Sequence, residues 1–217
     1  MPTPRTTVEY EQAQQKRIIE GAAQVFAKNG YRQTTIDQIG HELQLSKGAI
    51  YIYFKSKEEL FVAALAAIYH RRFTFLSEAY GEEDPTTVKF ERILDRLGSL
   101  MSHDDYVYIR LSMEGFLESE HIPRLQAIKT ESYQRFYKLL SVLLKEGQRS
   151  GEISQDVNVD SVTTVLMALS DGLMMHSLVQ GRGIEPDRVR RIVHETFSRV
   201  FKGPLRNHKG DDHGIQG

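Results

Sequence analysis

Hydroxyl-bearing, small and basic residues are concentrated between Thr34 and Lys57, in a pattern suited to binding double-stranded DNA without covalent chemistry. A lysine can donate to guanine acceptors or to a phosphate, and tyrosine hydroxyls can reach phosphates or base edges. Adjacent small residues would let the backbone approach a groove closely. For Thr35 a helix-capping role, and for Gln38 a solvated position, are the alternatives. The candidate DNA contacts are Thr34, Thr35, Gln38, Ser46, Lys47, Gly48, Ala49, Tyr51, Tyr53 and Lys57.

Two short helices joined by a tight turn would position these residues. The first, Thr35 to Leu43, carries apolar residues at spacings of three and four, and Ser46 can cap the second, Lys47 to Tyr53. The second helix keeps Ile50 and Phe54 for the protein interior and turns its small, basic and tyrosine residues outward. This arrangement predicts a helix-turn-helix, whose second helix enters the DNA major groove.

The ordered run from Ile19 to Leu60 resembles the DNA-binding domain of the TetR family of bacterial transcriptional repressors. The residues that carry the resemblance are Ile19, Ala22, Ala23, Phe26, Gly30, Tyr31, Thr34, Thr35, Ile36, Ile39, Leu43, Ser46, Lys47, Gly48, Ala49, Ile50, Tyr51, Tyr53, Phe54, Lys55, Ser56, Lys57 and Leu60. The resemblance implies phosphate contact by Lys57. The motif departs from the family at Gly40-His41, where Ala and a polar residue are usual, and at Gln44, where Gly is usual. Gln44 would need a left-handed backbone, which costs a non-glycine residue roughly 1 kcal/mol.

Charge is unevenly distributed along the 217 residues, although the net charge is only −1. Residues 1–57 contain eight Lys/Arg against five Asp/Glu, whereas residues 58–217 contain twenty against twenty-four. The basic part coincides with the predicted DNA-binding motif, as a phosphate-binding surface requires. The absence of cysteine excludes disulfides, a thiol nucleophile and zinc fingers, and it fits a reducing cytoplasm.

Apolar spacing predicts an all-α fold of about nine helices. The first is Gln12 to Asn29, ended by Gly30, and a long helix from Lys57 to Ala79 follows the motif. The remaining segments are predicted as helices over Thr86–Met101, Asp104–Glu118, Ile122–Gly147, Val159–Val179 and Pro186–Phe201. We therefore divide the chain into a flexible arm (1–11), a TetR-type DNA-binding domain (12–72), an effector-binding and dimerisation domain (73–203) and a disordered tail (204–217).

Flexible methionine and aromatic side chains are frequent in the C-terminal part, and such groups can line a cavity for lipophilic ligands. The resemblance implies an effector pocket in this region, while simple core packing is the alternative for each residue taken singly. The pocket candidates are Phe73, Met101, Tyr106, Met113, Phe116, Phe136, Tyr137, Met167 and Met174.

The last two predicted helices each carry an apolar face that could pack either on its own chain or on a second copy. The residues alone leave both arrangements open, but the resemblance favours a homodimer, because this family dimerises through such a C-terminal pair. A two-fold dimer would present two reading helices to a palindromic site. The candidate interface residues are Val165, Leu166, Leu169, Gly172, Leu173, His176, Ile192, Val193, Phe197 and Val200.

Signals for catalysis, metal binding or a membrane are missing. The sequence contains no HExxH, phosphate-binding loop or nucleophile elbow, and the pair His103-Asp104 falls at a helix start, where a carboxylate offsets the helix dipole. The longest nearly uncharged apolar run, Leu60 to Tyr69, is about half of what a membrane span needs, and the N-terminus has no signal-peptide pattern. We expect no enzyme, no metal or cofactor, no membrane partner and a cytoplasmic location.

These features predict a transcriptional repressor that a small lipophilic effector releases from a palindromic double-stranded DNA operator. The effector would act through the long helix that follows the motif. One alternative is an activator or an effector-independent regulator. The alternative from another class is a small-molecule-binding protein with a vestigial helix-turn-helix.

Overall fold

The computed structural model describes residues 8–102 and 106–202, which form nine α-helices and no strand. The helices are α1 (Val8–Asn29), α2 (Ile36–Leu43), α3 (Lys47–Tyr51), α4 (Lys57–Ser77), α5 (Thr86–Leu100), α6 (Tyr106–Glu118), α7 (Pro123–Ser150), α8 (Val159–Gln180) and α9 (Pro186–Lys202). The predicted all-α class is confirmed. Residues 1–7, 103–105 and 203–217, which include most of the predicted arm, His103 and the predicted tail, lie outside the described residues.

Helix α1 begins four residues earlier than predicted, so the flexible-arm prediction is wrong for residues 8–11. Glu9 and Glu11 lie in the first turn, where negative charge is stabilised by the positive end of the helix dipole. The helix ends as predicted at Gly30, whose φ of 85° is a left-handed value that glycine adopts without steric penalty. Phe26, on the side of α1 that faces the core, is fully buried.

Helices α1 to α4 pack around one apolar core that also includes residues from the C-terminal part of the chain. Phe26 and Phe61 meet edge to face at 5.0 Å, and Tyr31 stacks on Phe61 at 4.4 Å. Leu111 of α6 and Leu125 of α7 are buried in the same cluster. The predicted boundary at residue 72 falls inside α4, so this helix and the shared core tie the two parts of the chain together.

A second apolar core joins α5 with α7, α8 and α9. Ile93, Leu144 and Val189 are among its buried members. The backbone N–H of Ile184, just before α9, donates to the carbonyl of Met101 at 2.8 Å and closes the end of this core. The C-terminal part is therefore a helical bundle that surrounds a cavity and leaves one side of α8 exposed.

The expectation that no apolar run approaches the length of a membrane span is wrong for α8. Val159–Gln180 is long and apolar enough by length and composition, with a mean hydropathy of 1.4 over its most apolar window, and is the one such helix in the described part of the chain. Only 22% of that window is buried in the fold. Such an exposed apolar helix is also what a subunit interface presents before its partner is added.

The N-terminus of α5 is capped by a carboxylate that lies far away in the sequence. Pro85, at the N-cap position, makes no side-chain capping bond. The Glu152 carboxylate instead accepts the backbone N–H groups of Thr86 at 2.9 Å and Thr87 at 3.0 Å. Burial raises the pKa of Glu152, but these bonds and the hydroxyls of Ser150 and Thr87 outweigh it and lower the pKa to about 2.

We predict that Glu152→Gln lowers the free energy of unfolding by about 1–2 kcal/mol at pH 7, the usual loss on removing a helix cap. Because the folded-state pKa lies below the unfolded value, this stabilisation is complete above about pH 4.5 and disappears as the pH falls towards about 2. Urea denaturation of both proteins across this range measures the difference. Glu131→Gln, an exposed carboxylate on α7, is the control, and an equal loss in both variants would contradict the capping role.

Candidate nucleic-acid interface and effector cavity

Helices α2 and α3 form the predicted helix-turn-helix, and each begins at the predicted cap. The Thr35 hydroxyl accepts the backbone N–H of Gln38, and the Gln38 side chain accepts that of Thr35. The Ser46 hydroxyl accepts the N–H of Ala49 at 3.1 Å. Helix α3 ends at Tyr51, two residues earlier than predicted. Thr35, Gln38 and Ser46 therefore fix the helix starts while remaining exposed.

The turn between the two helices explains both departures from the family pattern. Gln44 has φ 54° and ψ 41°, the left-handed conformation expected for it. This conformation folds the chain back so that the N–H of Leu45 donates to the carbonyl of Gly40 at 2.8 Å. A Cβ added to Gly40 would lie 2.6 Å from the carbonyl oxygen of Leu45. Only glycine fits at position 40 while the turn keeps this shape.

One side of α3 is anchored in the core and the opposite side is exposed. Ile50 is fully buried, whereas Lys47, Gly48 and Tyr51 are exposed. The Lys47 ammonium lies 2.9 Å from the Asp37 carboxylate, and hydrogen bonding to that carboxylate raises the lysine pKa. Both groups of the pair are more than half exposed. The ammonium thus stays charged at the surface, where a phosphate can compete for it.

The remaining predicted residues of this motif are less exposed. Ala49 and Tyr53 are half-buried. Thr34 is fully buried and its hydroxyl donates to the carbonyl of Gly30 at 2.6 Å, so its predicted hydroxyl contact with phosphate is wrong. The surface beside α3 instead carries Ile52, whose side chain is 79% exposed and was not predicted. In the sequence, the exposure of Ile52 is indicated only by its position two residues after the inward-facing Ile50.

Lys57 serves the protein's own backbone in this structure. Its ammonium donates to the carbonyls of Tyr31 at 2.8 Å, Thr34 at 2.9 Å and Arg32 at 3.3 Å. It also lies 4.5 Å from the centroid of the Tyr31 ring. With its three N–H groups directed at carbonyls, Lys57 holds the α1–α2 connection, which differs from the expected phosphate contact.

Two carboxylates of α6 hold the same connection from the other side. Glu114 accepts the backbone N–H of Tyr31, and the Glu118 carboxylate lies 2.7 Å from Nε of Arg32. Burial raises the pKa of Glu114, while the N–H of Tyr31 acts in the opposite direction. The Gly30–Thr34 connection is therefore fixed between α4 and α6.

A cavity of about 630 Å³ lies between α4, α5, α6, α7 and α8. This volume is within the usual range for sites that bind drug-sized ligands. Its wall is largely apolar, with two cations, Arg72 and Lys129, and one acid, Asp171, among the described lining residues. The apolar lining is Leu76, Phe90, Ile93, Leu94, Leu97, Met113, Phe116, Phe136, Leu139, Leu140, Leu166, Met167, Met174 and Met175.

Five of the nine predicted pocket residues line this cavity, namely Met113, Phe116, Phe136, Met167 and Met174. The other four do not. Met101 is fully buried in the bundle core, and Tyr106 is half-buried outside the lining. Phe73 packs behind the wall, edge to face with Phe136 at 5.5 Å, and the Tyr137 hydroxyl donates to Asp160. The sequence pattern does not separate these residues, because helices packed on two sides bury apolar residues that never reach the cavity.

Helix α8 presents to the exterior a different set of residues from the one predicted. Leu166 and Leu173, together with Val193 of α9, are buried in their own bundle, and Leu169 and Ile192 are half-buried. The exposed members of the predicted set are Val165, Gly172 and His176, and the side chains of Phe197 and Val200 lie outside the described residues. We define the α8 outer face as Val165, Ala168, Gly172 and Val179, all exposed at helical spacing and none of them in the cavity lining.

The chain belongs to the TetR family of transcriptional regulators. Residues 18–64 match the family described as bacterial regulatory proteins, tetR family. Residues 107–202 match the C-terminal domain described as BetI-type transcriptional repressor. The first match contains the helix-turn-helix and the second contains α6 to α9. Its relatives are regulators of transcription.

Curated relatives include two proteins of Bacillus subtilis. The HTH-type transcriptional regulator YuxN is 29% identical over 190 residues, which is 87% of this chain but 63% of YuxN. The chain thus spans less than two thirds of that relative's length. The fatty acid metabolism regulator protein is 27% identical over 143 residues, covering 66% of this chain and 72% of that protein.

Solved structures share the fold. A transcriptional regulator from Saccharomonospora viridis in complex with choline has a TM-score of 0.75 at 24% identity, covering 86% of this chain and 96% of that one. The regulator FadR from Bacillus subtilis in complex with stearoyl-CoA has a TM-score of 0.67 at 19% identity, covering 87% and 98%. At these identities the similarity establishes the architecture, while the two ligands belong to those proteins.

We predict opposite stability effects from adding one methyl group at two glycines of the motif. Gly40→Ala places a Cβ against the Leu45 backbone and should lower the free energy of unfolding by about 1–3 kcal/mol. In Gly48→Ala the nearest atom to the new Cβ is the Ser46 hydroxyl at 3.9 Å. This substitution should raise the free energy of unfolding by about 0.5–1 kcal/mol. Thermal melting measures both, and a stable Gly40→Ala protein would contradict the account of the turn.

Proposed function

We propose that this chain is a dimeric, cytoplasmic transcriptional repressor that binds a palindromic operator and leaves it when a small lipophilic effector fills the cavity. The observation that carries the proposal is the shape of α3. Its buried Ile50 anchors the helix, while Lys47, Gly48 and Tyr51 face outward together. A vestigial motif would have no reason to keep these groups exposed on a fixed helix.

The proposed DNA contacts follow from this exposed side. Lys47 reaches phosphate or guanine acceptors after leaving Asp37, and Tyr51 contacts phosphate or base edges. Gly48 lets the backbone approach the groove, since a Cβ there would meet only the Ser46 hydroxyl at 3.9 Å. Ile52 adds an apolar contact, of the kind that a thymine methyl can meet.

The proposed homodimer uses the α8 outer face. The apolar side chains of Val165 and Val179 are 50% and 80% exposed, and a Cβ at Gly172 would have no neighbour within 4 Å. Small residues in the middle of an apolar face let a second helix approach closely, and two copies of α8 and α9 would form a four-helix interface. Such a dimer would place two α3 helices on one side for half-sites roughly 34–36 Å apart.

The cavity supports an effector, and the relatives support its lipophilic class. A largely apolar space of about 630 Å³ favours a ligand with substantial hydrocarbon surface. One relative is a fatty acid metabolism regulator, and a protein of the same fold holds stearoyl-CoA.

We propose that the effector acts on the DNA-binding helices mainly through α6, in addition to the expected route through α4. Met113 and Phe116 of α6 line the cavity. On the same helix, Glu114 and Glu118 bind the backbone of Tyr31 and the side chain of Arg32. A ligand that displaces α6 would therefore displace the connection that precedes α2.

We predict that the protein binds DNA from upstream of its own coding sequence with strong salt dependence, and that Tyr51→Ala weakens this binding by at least about 10-fold. Gel shifts at two salt concentrations measure the effect. Tyr133→Ala removes a comparably exposed tyrosine from α7 and serves as the control. Equal affinity of the wild-type protein for scrambled DNA would contradict specific regulation.

We predict that Glu118→Ala speeds hydrogen exchange of the backbone amides at residues 31–35 and weakens operator binding several-fold, because Arg32 loses its partner on α6. Mass-detected exchange and gel shifts provide the two readouts. Glu120→Ala, an exposed carboxylate two residues later, should change neither. Unaltered exchange in Glu118→Ala would show that α6 does not fix the connection.

A further inference from the structure

The cavity wall contains a buried hydroxyl that is left without a hydrogen-bond partner by the residues that the structure describes. Ser112 of α6 is 7% exposed, lines the cavity, and has no hydrogen-bond partner for its Oγ among the described residues. Leaving a buried hydroxyl unpaired costs about 1–3 kcal/mol, so native proteins rarely retain one without a reason. A ligand atom in the cavity would give this hydroxyl its partner.

A lysine ammonium lies at the same end of the cavity. The ring of Phe116, one helical turn after Ser112, is 4.4 Å from Nζ of Lys129. The ammonium also donates to the Ser119 hydroxyl at 3.1 Å. Residues four apart on a helix have Cβ atoms about 5–6 Å apart, so Ser112 and Phe116 are neighbours on α6, and Lys129 contacts the ring of Phe116. Both groups that hold the ammonium are neutral.

The second cation of the cavity lies in a different environment. The Arg72 guanidinium is 3.7 Å from the sulfur of Met174, on α8. Burial raises the pKa of Asp171, one turn earlier on α8, and the charge of Arg72 partly lowers it. Arg72 is therefore near enough to Asp171 to act on its pKa, and Asp171 is the one acid among the described lining residues. For Lys129, the contacts given by the described residues are the Ser119 hydroxyl and the Phe116 ring, and neither carries a charge.

The space beyond this end is apolar. Phe90, Ile93 and Leu97 of α5 and Leu139 and Leu140 of α7 are among the residues that line it. Phe116 is 53% exposed, so the end at α6 and α7 lies next to solvent. An elongated molecule would keep a charged end here and bury its hydrocarbon chain inside.

We propose that Ser112 and Lys129 form the head-group site for an anionic amphiphile, a single hydrocarbon chain that ends in a carboxylate or a phosphate. The hydroxyl and the ammonium donate to the head group, and the chain lies among α5, α7 and α8. This inference rests on the proposed function, because it defines the chemical class of the proposed effector.

The test compares four ligands that each have a chain of twelve carbons: dodecanoate, dodecyl phosphate, dodecanol and dodecyltrimethylammonium. Calorimetry on the full chain without DNA, below micelle formation, measures each affinity. We expect the anions to bind at least about 10-fold more tightly than dodecanol, the gain of about one charge-assisted hydrogen bond. The preferred anion then identifies the head group as carboxylate or phosphate.

Variants separate the head-group site from general cavity binding. Lys129→Met should reduce anion affinity about 10-fold and leave dodecanol affinity unchanged, while Lys129→Arg should retain most of the anion affinity. Lys145→Met removes a lysine of the same helix outside the cavity lining and should change nothing. Ser112→Ala should weaken anion binding several-fold without lowering the ligand-free melting temperature, because an unpaired hydroxyl contributes nothing to the fold.

Equal affinity for anion and alcohol, tighter binding of the cation, or no binding of any dodecyl ligand would overturn the head-group site. A lower melting temperature of ligand-free Ser112→Ala would also count against it. Gel shifts distinguish this failure from failure of the proposed function. If dodecanoate binds as expected but leaves the operator complex intact, the repressor mechanism fails and the head-group site stands. If only dodecanol or dodecyltrimethylammonium releases the operator, the repressor mechanism stands and the head-group site fails.

Discussion

The backbone between α1 and α2 is held by side chains from two different helices, and the position of the DNA-binding motif depends on them. Lys57 of α4 binds three carbonyls of this connection, and Glu114 of α6 binds the N–H of Tyr31. The ring of Tyr31 stacks on Phe61 between them. Because α2 begins a few residues later, any movement of α4 or α6 reaches it through fixed polar bonds and a packed ring, not through a loose loop.

Within the motif, the left-handed turn at Gln44 requires the glycine at position 40. Gln44 adopts a backbone conformation that costs roughly 1 kcal/mol for a side-chain-bearing residue. The same turn places the Leu45 carbonyl oxygen 2.6 Å from where a Cβ of residue 40 would lie, so position 40 must be glycine. The two departures from the family pattern are therefore one structural feature.

The features that could be predicted from sequence are the ones that depend on local spacing. Apolar periodicity and caps such as Thr35 and Ser46 located the helices and the motif. Residues whose roles depend on distant partners could not be placed this way. The family resemblance implied a phosphate contact for Lys57, and its carbonyl partners, 23 to 26 positions earlier in the chain, gave no local signal. Glu152 gave no sign of capping a helix that starts 66 residues before it.

The cavity shows the same limit for side chains that share a helix. On α8, Met167 and Met174 line the cavity, while Val165 and Gly172 face the exterior. Sequence periodicity shows that both sides are apolar, but which side faces α5 and α7 depends on the packing of five helices. A hydrophobic residue in such a helix can belong to the core, the cavity or an interface with equal local signal.

The position of α8 connects ligand binding with assembly. One side of this helix lines the cavity, and the α8 outer face is the proposed contact with a second subunit. A ligand that displaces α8 would therefore change the angle between subunits as well as the position of α6. Because α3 is distant from the interface, a small rotation there would cause a larger displacement of the α3 helices. Their separation must match half-sites that recur at roughly 34–36 Å on DNA. In the proposed dimer, both routes from the cavity would therefore act on the same quantity, the separation of the two α3 helices.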